Sequence, residues 1–269
     1  LRKPAGSFIM ARWRGLAAGG ESMAQWIEGT IVNNERWTEN LFSIQVEADT
    51  GPFTAGQFTS LALDIGGKRV ARPYSYLNPP GACPLEFFMY RIADGALTSA
   101  LIDMGPGEKV WVKSPANGFL VLPEVPPCED MWMLATGTGI APFFSILNTE
   151  EPWRRFERVV LIHAVRWEVD LRYREIVESF KQRYGDRFVF QAFVSREQVP
   201  GAIHGRVPAT IGNGELERRT GVAAAPEKSH FMLCGNPGMI GDTTEALLAR
   251  GFTRNRRRAP GHITSENYW

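Results

Sequence analysis

The stretch MWMLATGTGIAPFF, residues 131–144, decides how the second half of this chain folds. Its first five residues, Met131 to Ala135, read as a buried strand. Thr136-Gly137-Thr138-Gly139 then forms a glycine-rich turn, and Pro142 suits the first turn of a helix, where an amide donor would be unpaired anyway. A turn of this kind lets backbone N–H groups approach a pyrophosphate, whose charge the helix N-terminus favours. Pro142 stands where the full dinucleotide fingerprint has its third glycine, so a plain strand–helix turn is the other reading of the same letters.

Outward from this stretch, strands and helices alternate. RVVLIH (158–163), FVFQAFV (188–194) and HFMLC (230–234) read as strands. Tyr173, Ile176, Val177, Phe180 and Tyr184 fall at helical steps of three and four, and PGMIGDTTEALLAR (237–250) reads as another helix. Such alternation predicts a parallel sheet covered on both faces.

Upstream the period changes. WIEGTIV, NLFSIQVEA, QFTSLALDI, RVARPYSYL, LEFFMYRI and KVWVKS, between Trp26 and Ser114, are rich in Val, Ile, Phe and Tyr. Gly51-Pro52, Gly66-Gly67, Pro79-Pro80-Gly81 and Gly105-Pro106-Gly107 separate them as turns. This spacing predicts a small antiparallel barrel or sandwich, with one helix starting near Ala96. LPEVPPCED (122–130) breaks the pattern and reads as a linker. The expected organisation is an all-β domain over 23–123 followed by an α/β nucleotide-binding domain over 124–269. Residues 1–22 form an extension with four basic residues and one acidic residue, and Met23 is the candidate native start. A transit peptide has a similar composition.

Composition narrows the function. The chain has 269 residues, 44% of them hydrophobic, with 30 basic against 29 acidic residues, so no whole-protein basic field for nucleic acid exists. Cys83, Cys128 and Cys234 lie far apart, giving neither a metal signature nor a disulfide framework. No apolar stretch reaches the ~20 residues of a membrane span. The expectation is a cytoplasmic monomer without a metal.

The strand ends carry the ligand chemistry. Dinucleotide folds specific for NAD place a carboxylate after the second strand, to bond the ribose 2′-hydroxyl. Here Val165 and Arg166 stand there, Ser195 and Arg196 end the third strand, and Arg206 follows. Three guanidiniums and a hydroxyl suit a 2′-phosphate, which favours NADPH over NADH. Solvated loop ends are the alternative. In the β half, Arg72-Pro73-Tyr74-Ser75 puts a cation, an aromatic ring and a hydroxyl on one strand, as a flavin phosphate, isoalloxazine and N5 would require.

Arg72-Pro73-Tyr74-Ser75, then Gly95-Ala96-Leu97-Thr98-Ser99, Gly137-Thr138-Gly139-Ile140-Ala141-Pro142, Cys234-Gly235-Asn236-Pro237 and a terminal Tyr268-Trp269 occur in the order that marks the ferredoxin–NADP⁺ reductase family. From Met23 to Trp269 the chain resembles this family, most of all the bacterial flavodoxin/ferredoxin–NADP⁺ reductases ending in Tyr-Trp. The resemblance implies a six-stranded antiparallel β-barrel binding FAD and a parallel-sheet α/β domain binding NADP(H). It implies that Arg72 contacts the FAD pyrophosphate, Pro73 and Tyr74 the ring system and Ser75 the N5 region. Phe88, Met89, Tyr90 and Arg91 would line the flavin; Ala96, Leu97 and Thr98 would receive its phosphates, with Thr98 where the family often has serine; Thr138 would reach FAD as well as NADP. Gly137, Gly139, Cys234, Gly235, Asn236 and Pro237 would hold the dinucleotide, Tyr268 would cover the flavin and Trp269 would lie near the adenine of a folded FAD. Ser75, Cys234, Glu266 and Tyr268 are the residues it places at the chemistry.

Several of these positions also have a plainer reading. Cys234 could be a small buried hydrophobe, and the terminal aromatics a capped core edge. The five arginines between Arg250 and Arg258 read equally as a solvated helix end or as a docking patch for an acidic carrier. The implied activity is hydride exchange between NADPH and FAD, followed by one-electron transfers with ferredoxin or flavodoxin. A reductase for an oxygenase or ferric chelate, or a flavin relay subunit that never uses a pyridine nucleotide, are the alternatives.

Overall fold

The computed structural model describes residues 24–267. Its N-terminal half holds six strands: β1 (Gln25–Arg36), β2 (Leu41–Glu47), β3 (Phe58–Ile65), β4 (Lys68–Ser75), β5 (Leu85–Tyr90) and, after helix α1 (Ala96–Leu101), β6 (Lys109–Ser114). All six expected strands are present. They pair antiparallel in the order β4-β3-β6-β1-β2-β5. Alternation turns Ile31, Phe42, Ile44, Val46, Phe87 and Met89 inward, where they pack with Leu97 and Leu101 of α1. Full burial of each such side chain contributes about 1.5–3 kcal/mol. The expected barrel is left open: among the described residues no ladder joins β4 to β5.

The second half runs β7 (Asp130–Thr136), α2 (Ala141–Leu147), α3 (Glu151–Arg155), β8 (Arg158–Val165), α4 (Arg174–Tyr184), β9 (Phe188–Val194), β10 (Ile203–His204), α5 (Val207–Gly212), α6 (Glu215–Thr220), β11 (Ser229–Gly235), α7 (Pro237–Leu248) and β12 (Ile263–Asn267). The sheet is parallel throughout, in the order β10-β9-β8-β7-β11-β12. Phe143 and Phe144 of α2, Trp153 of α3 and Phe180 of α4 cover one face. Val207 and Ile211 of α5, Leu216 of α6 and Leu247 of α7 cover the other. Strand order reverses between β7 and β11, which makes their C-terminal ends the place where open α/β sheets take ligands.

Pro142 falls in the first turn of its helix, as expected. The helix after the glycine turn starts at Ala141, and a tight 3-10 turn over Gly137–Ile140 leads into it. The stretch 122–130 is not a loose tether. Leu122 and Val125 are buried in the same core cluster as Leu41, Leu77 and Phe88 of the first half and Met131 of β7. One apolar core therefore crosses between the halves. Asp130, fully buried at the foot of β7, is held by Arg158 at 2.7 Å and by Lys228 at 3.7 Å.

Candidate active site

The open seam between β4 and β5 is a cavity of about 270 Å³. Arg72, Pro73, Tyr74 and Ser75 of β4 form one wall, and Phe88 and Tyr90 of β5 the other. Gly95, Ala96, Leu97 and Thr98 at the start of α1 close one end, and Thr138 and Ala141 of the glycine turn close another. Residues expected at a flavin and Thr138, expected at both flavin and dinucleotide, thus share one cavity. Burial raises the Tyr74 phenol above the ordinary tyrosine range, the nearby Arg72 charge opposing it, so the ring is neutral at working pH. The Arg72 guanidinium makes no ion pair among the described residues and donates to the neighbouring Ala71 carbonyl at 2.7 Å. The first N–H groups of a helix lack intrahelical acceptors, and Thr98 Oγ1 shapes the entry to α1 by accepting from the Ile92 amide at 3.1 Å. An apolar slot with aromatic walls, one cation without a counter-ion and open backbone donors fits a flat ring carrying phosphates.

Two of the expected wall residues lie elsewhere. Met89 has the opposite strand parity to Phe88 and Tyr90, and its side chain is fully buried in the barrel core. Arg91 does not line the cavity; its amide donates to Asn40 O at 2.6 Å, and its Nε is buried without a partner among the described residues. Val70, Ile92 and Asp94 line the cavity, although nothing in the sequence pattern singles them out.

At the switch point the backbones of β7 and β11 nearly touch. A Cβ on Gly139 would sit 2.7 Å from the Cys234 carbonyl oxygen, and one on Gly235, at φ +126°, 2.2 Å from Thr136 Oγ1. Asn236 caps α7 by accepting from the Met239 amide at 3.2 Å, with Pro237 in the first turn. This close approach leaves room only for glycine at both positions. Buried His163, missed in the sequence, contacts the Gly137 carbonyl through Nε2 at 2.9 Å. Since a carbonyl only accepts, Nε2 carries the proton. Burial lowers the His163 pKa to about 4, the Gly137 contact opposing.

Arg166, Ser195, Arg196 and Arg206 gather at adjacent strand ends. Arg196 donates its amide to Arg166 O at 2.9 Å, and Ser195 donates its amide to Val165 O at 3.1 Å. Val165 is buried, whereas all three arginines are exposed and make no side-chain hydrogen bond or ion pair among the described residues. Three exposed cations without a hydrogen bond or ion pair among the described residues are suited to an outside anion.

Cys234 is fully buried at the end of β11, and Glu266 lies beside it in register on β12. Glu266 Oε1 and the Phe58 ring both face Gly118, and Phe58 is the ladder partner of Ser75. Cys234 and Glu266 are thus neighbours across the β11–β12 ladder, whereas of these residues only Ser75 lines the seam cavity. Burial raises the Glu266 pKa to about 7, and its Oε2 is buried with no partner among the described residues. The roles expected of Tyr268 and Trp269 fall outside the described residues. The arginine run lies in a turn closed by a bridge between Arg256 and Ala259, beyond the end of α7. Arg254 pairs with Glu245 at 3.2 Å and Arg257 with Glu124 at 3.5 Å.

Comparison with known proteins follows the same lines. Residues 133–245 match the family model described as the oxidoreductase NAD-binding domain. The chain is 47% identical over 248 residues to the flavodoxin/ferredoxin–NADP reductase of Escherichia coli K12, covering 92% of this chain and 100% of that protein. It is 31% identical over 246 residues to the ferredoxin–NADP reductase of Pseudomonas aeruginosa, covering 88% and 95% respectively. The crystal structure of a ferredoxin NADP⁺ reductase from Neisseria gonorrhoeae, with bound FAD and NADP, superposes with a TM-score of 0.86 at 32% identity, covering 91% of this chain and 99% of that one.

Proposed function

Since the chain belongs to the flavodoxin/ferredoxin–NADP reductase family, we propose that it exchanges a hydride between NADPH and FAD, and single electrons between FAD and a ferredoxin or flavodoxin. The observation that carries this reading is the shared cavity: the flavin walls and Thr138 of the dinucleotide turn face the same space. Residues 23–123 form the FAD-binding unit in this reading and residues 124–269 the NADP(H)-binding unit. The flavin supplies the two-electron to one-electron chemistry when bound, and the protein supplies orientation and surroundings.

The chain's own residues divide this work. Arg72 and the first amides of α1 hold the FAD phosphates, while Pro73, Tyr74, Phe88 and Tyr90 bracket the ring. Ser75 presents a hydroxyl at the ring's N5 region. Gly137, Thr138 and Gly139, with His163 fixing the Gly137 carbonyl, receive the dinucleotide pyrophosphate. Gly235, Asn236 and Pro237 approach the nicotinamide end, and Cys234 positions it rather than acting as a nucleophile. Arg166, Ser195, Arg196 and Arg206 take the 2′-phosphate. Glu266, whose pKa burial raises to about 7, is the titratable group beside Cys234 on the adjoining strand.

The reading extends to a cytoplasmic monomer that meets its carrier transiently. Cys83 and Cys128 are free thiols, which suits a reducing compartment. Acceptor kinetics test the proposal. With NADPH as donor, ferredoxin or flavodoxin should be reduced far faster than ferric chelates, and a preference for the chelates would overturn it.

A further inference from the structure

Tyr173 is the only non-glycine residue at positive φ among the described residues, at φ 59° and ψ 35°. A bulky side chain is disfavoured there, so the surroundings must over-determine the backbone. The Tyr173 side chain leaves the N-terminus of α4 and enters the barrel half. Its hydroxyl donates to Glu86 Oε1 on β5 at 2.8 Å and lies 2.5 Å from Ser43 Oγ on β2. Trp37 Nε1 donates to the same Ser43 oxygen at 2.8 Å. Tyr173 has one proton, which goes to Glu86, so Ser43 supplies the proton of the bond between the two hydroxyls. The donors therefore run one way, Trp37 to Ser43 to Tyr173 to Glu86. Such chains reinforce each member in desolvated surroundings, and here only Tyr173 comes from the parallel-sheet half.

The ring makes a second set of ties. It stands edge-on to Trp37 at 5.4 Å, Phe88 at 5.2 Å and Phe144 at 5.8 Å. Phe88 lines the β4–β5 cavity, and Phe144 lies on α2, the helix into which the glycine turn runs. One buried ring thus touches the wall of the flavin cavity and the helix that carries the dinucleotide turn. Arg172 adds a bond across the same boundary, donating from Nη2 to Trp37 O at 3.1 Å.

We propose that Tyr173 is a positioning residue that fixes the register of the dinucleotide-binding half against the flavin wall. It acts through its hydroxyl bonds to Ser43 and Glu86, which seat the ring against Phe88 and Phe144, and it does not itself line the seam cavity. This inference rests on the reading of the shared cavity given above.

The test compares the FAD-loaded wild-type chain with Tyr173→Phe, and with Ser43→Ala in case the first variant fails to fold. Amide hydrogen exchange should rise severalfold in β5 and α2 together, two segments that the chain does not connect directly. Single-turnover reduction of the flavin by NADPH should slow about tenfold, with the NADPH concentration for half-maximal rate unchanged and FAD retained. Exchange that rises only in α4, or an unchanged reduction rate, would overturn the proposal. Wild-type protein that NADPH does not reduce would instead sink the functional reading, and the exchange result would still decide whether Tyr173 sets the register.

Discussion

The backbone amide of Asn236 donates to Oγ1 of Thr136 at 2.7 Å. This bond ties the turn after β11 to the last residue of β7 at the point where strand order reverses. Gly235, one residue earlier, has no space for a side chain: its Cβ would meet the same Oγ1 at 2.2 Å, in a backbone region that L-residues rarely adopt. Gly235→Ala should cost about 2–4 kcal/mol in urea unfolding. It should also raise KM for NADPH, because the tie shapes the approach to the dinucleotide.

The three exposed guanidiniums predict a specific kinetic signature. Arg166→Ala, Arg196→Ala and Arg206→Ala should each raise KM for NADPH about tenfold or more, the equivalent of one charge-assisted bond of about 1.5–3 kcal/mol. KM for NADH should barely move, because NADH has no 2′-phosphate. Parallel steady-state measurements with the two nucleotides check this, and equal losses for both would assign the arginines a structural role.

Glu266 makes stability depend on pH with a sign opposite to that of most carboxylates. Burial lifts its folded pKa to about 7 from an ordinary 4.5, so between these values the folded state binds more protons than the unfolded state. Stability contributed by this group is full below the lower value and is lost as pH rises through about 7. Glu266→Gln should therefore gain on wild type across that window, by up to about 3 kcal/mol, and show little advantage in acid. His163 and His230 act the other way. Burial depresses them to about 4 and about 3, so their contribution is present above the ordinary histidine value of 6.5 and is lost as pH falls through those lowered values. Urea unfolding of wild type and Glu266→Gln across pH separates the two effects.

Asp130 has no exposed surface and depends on Arg158, with Lys228 further away. Arg158→Met would leave most of that charge uncompensated and should destabilise the chain by about 3–5 kcal/mol. The loss should be smaller in Arg158→Met combined with Asp130→Asn, because the second change removes the stranded charge. Denaturant unfolding of both variants reads this directly.

What the sequence could reveal followed from the range of each interaction. β1 to β6 and the β7–turn–α2 unit are written in local pattern, and the motifs at Arg72, Gly137 and Cys234 sit in short contiguous stretches. Reading LEFFMYRI as one lining segment overlooks its period of two, which sends Phe88 and Tyr90 to the cavity and Met89 to the core. β12 has no clear signal because it is five residues long and only joins an existing edge. His163 looks like any buried strand residue until Gly137 is placed 2.9 Å from it. Tyr173 is legible only as one apolar position of a helix. Its left-handed backbone and its bond to a serine 130 positions away exist only after both halves have docked.

The decisive experiment is anaerobic addition of NADPH and of NADH to the purified protein after incubation with FAD. One cavity that holds a flavin against a 2′-phosphorylated dinucleotide should give rapid bleaching of the flavin absorbance by NADPH and much slower bleaching by NADH. A colourless protein that takes up no added FAD, or a flavin that NADPH leaves oxidised, would contradict it.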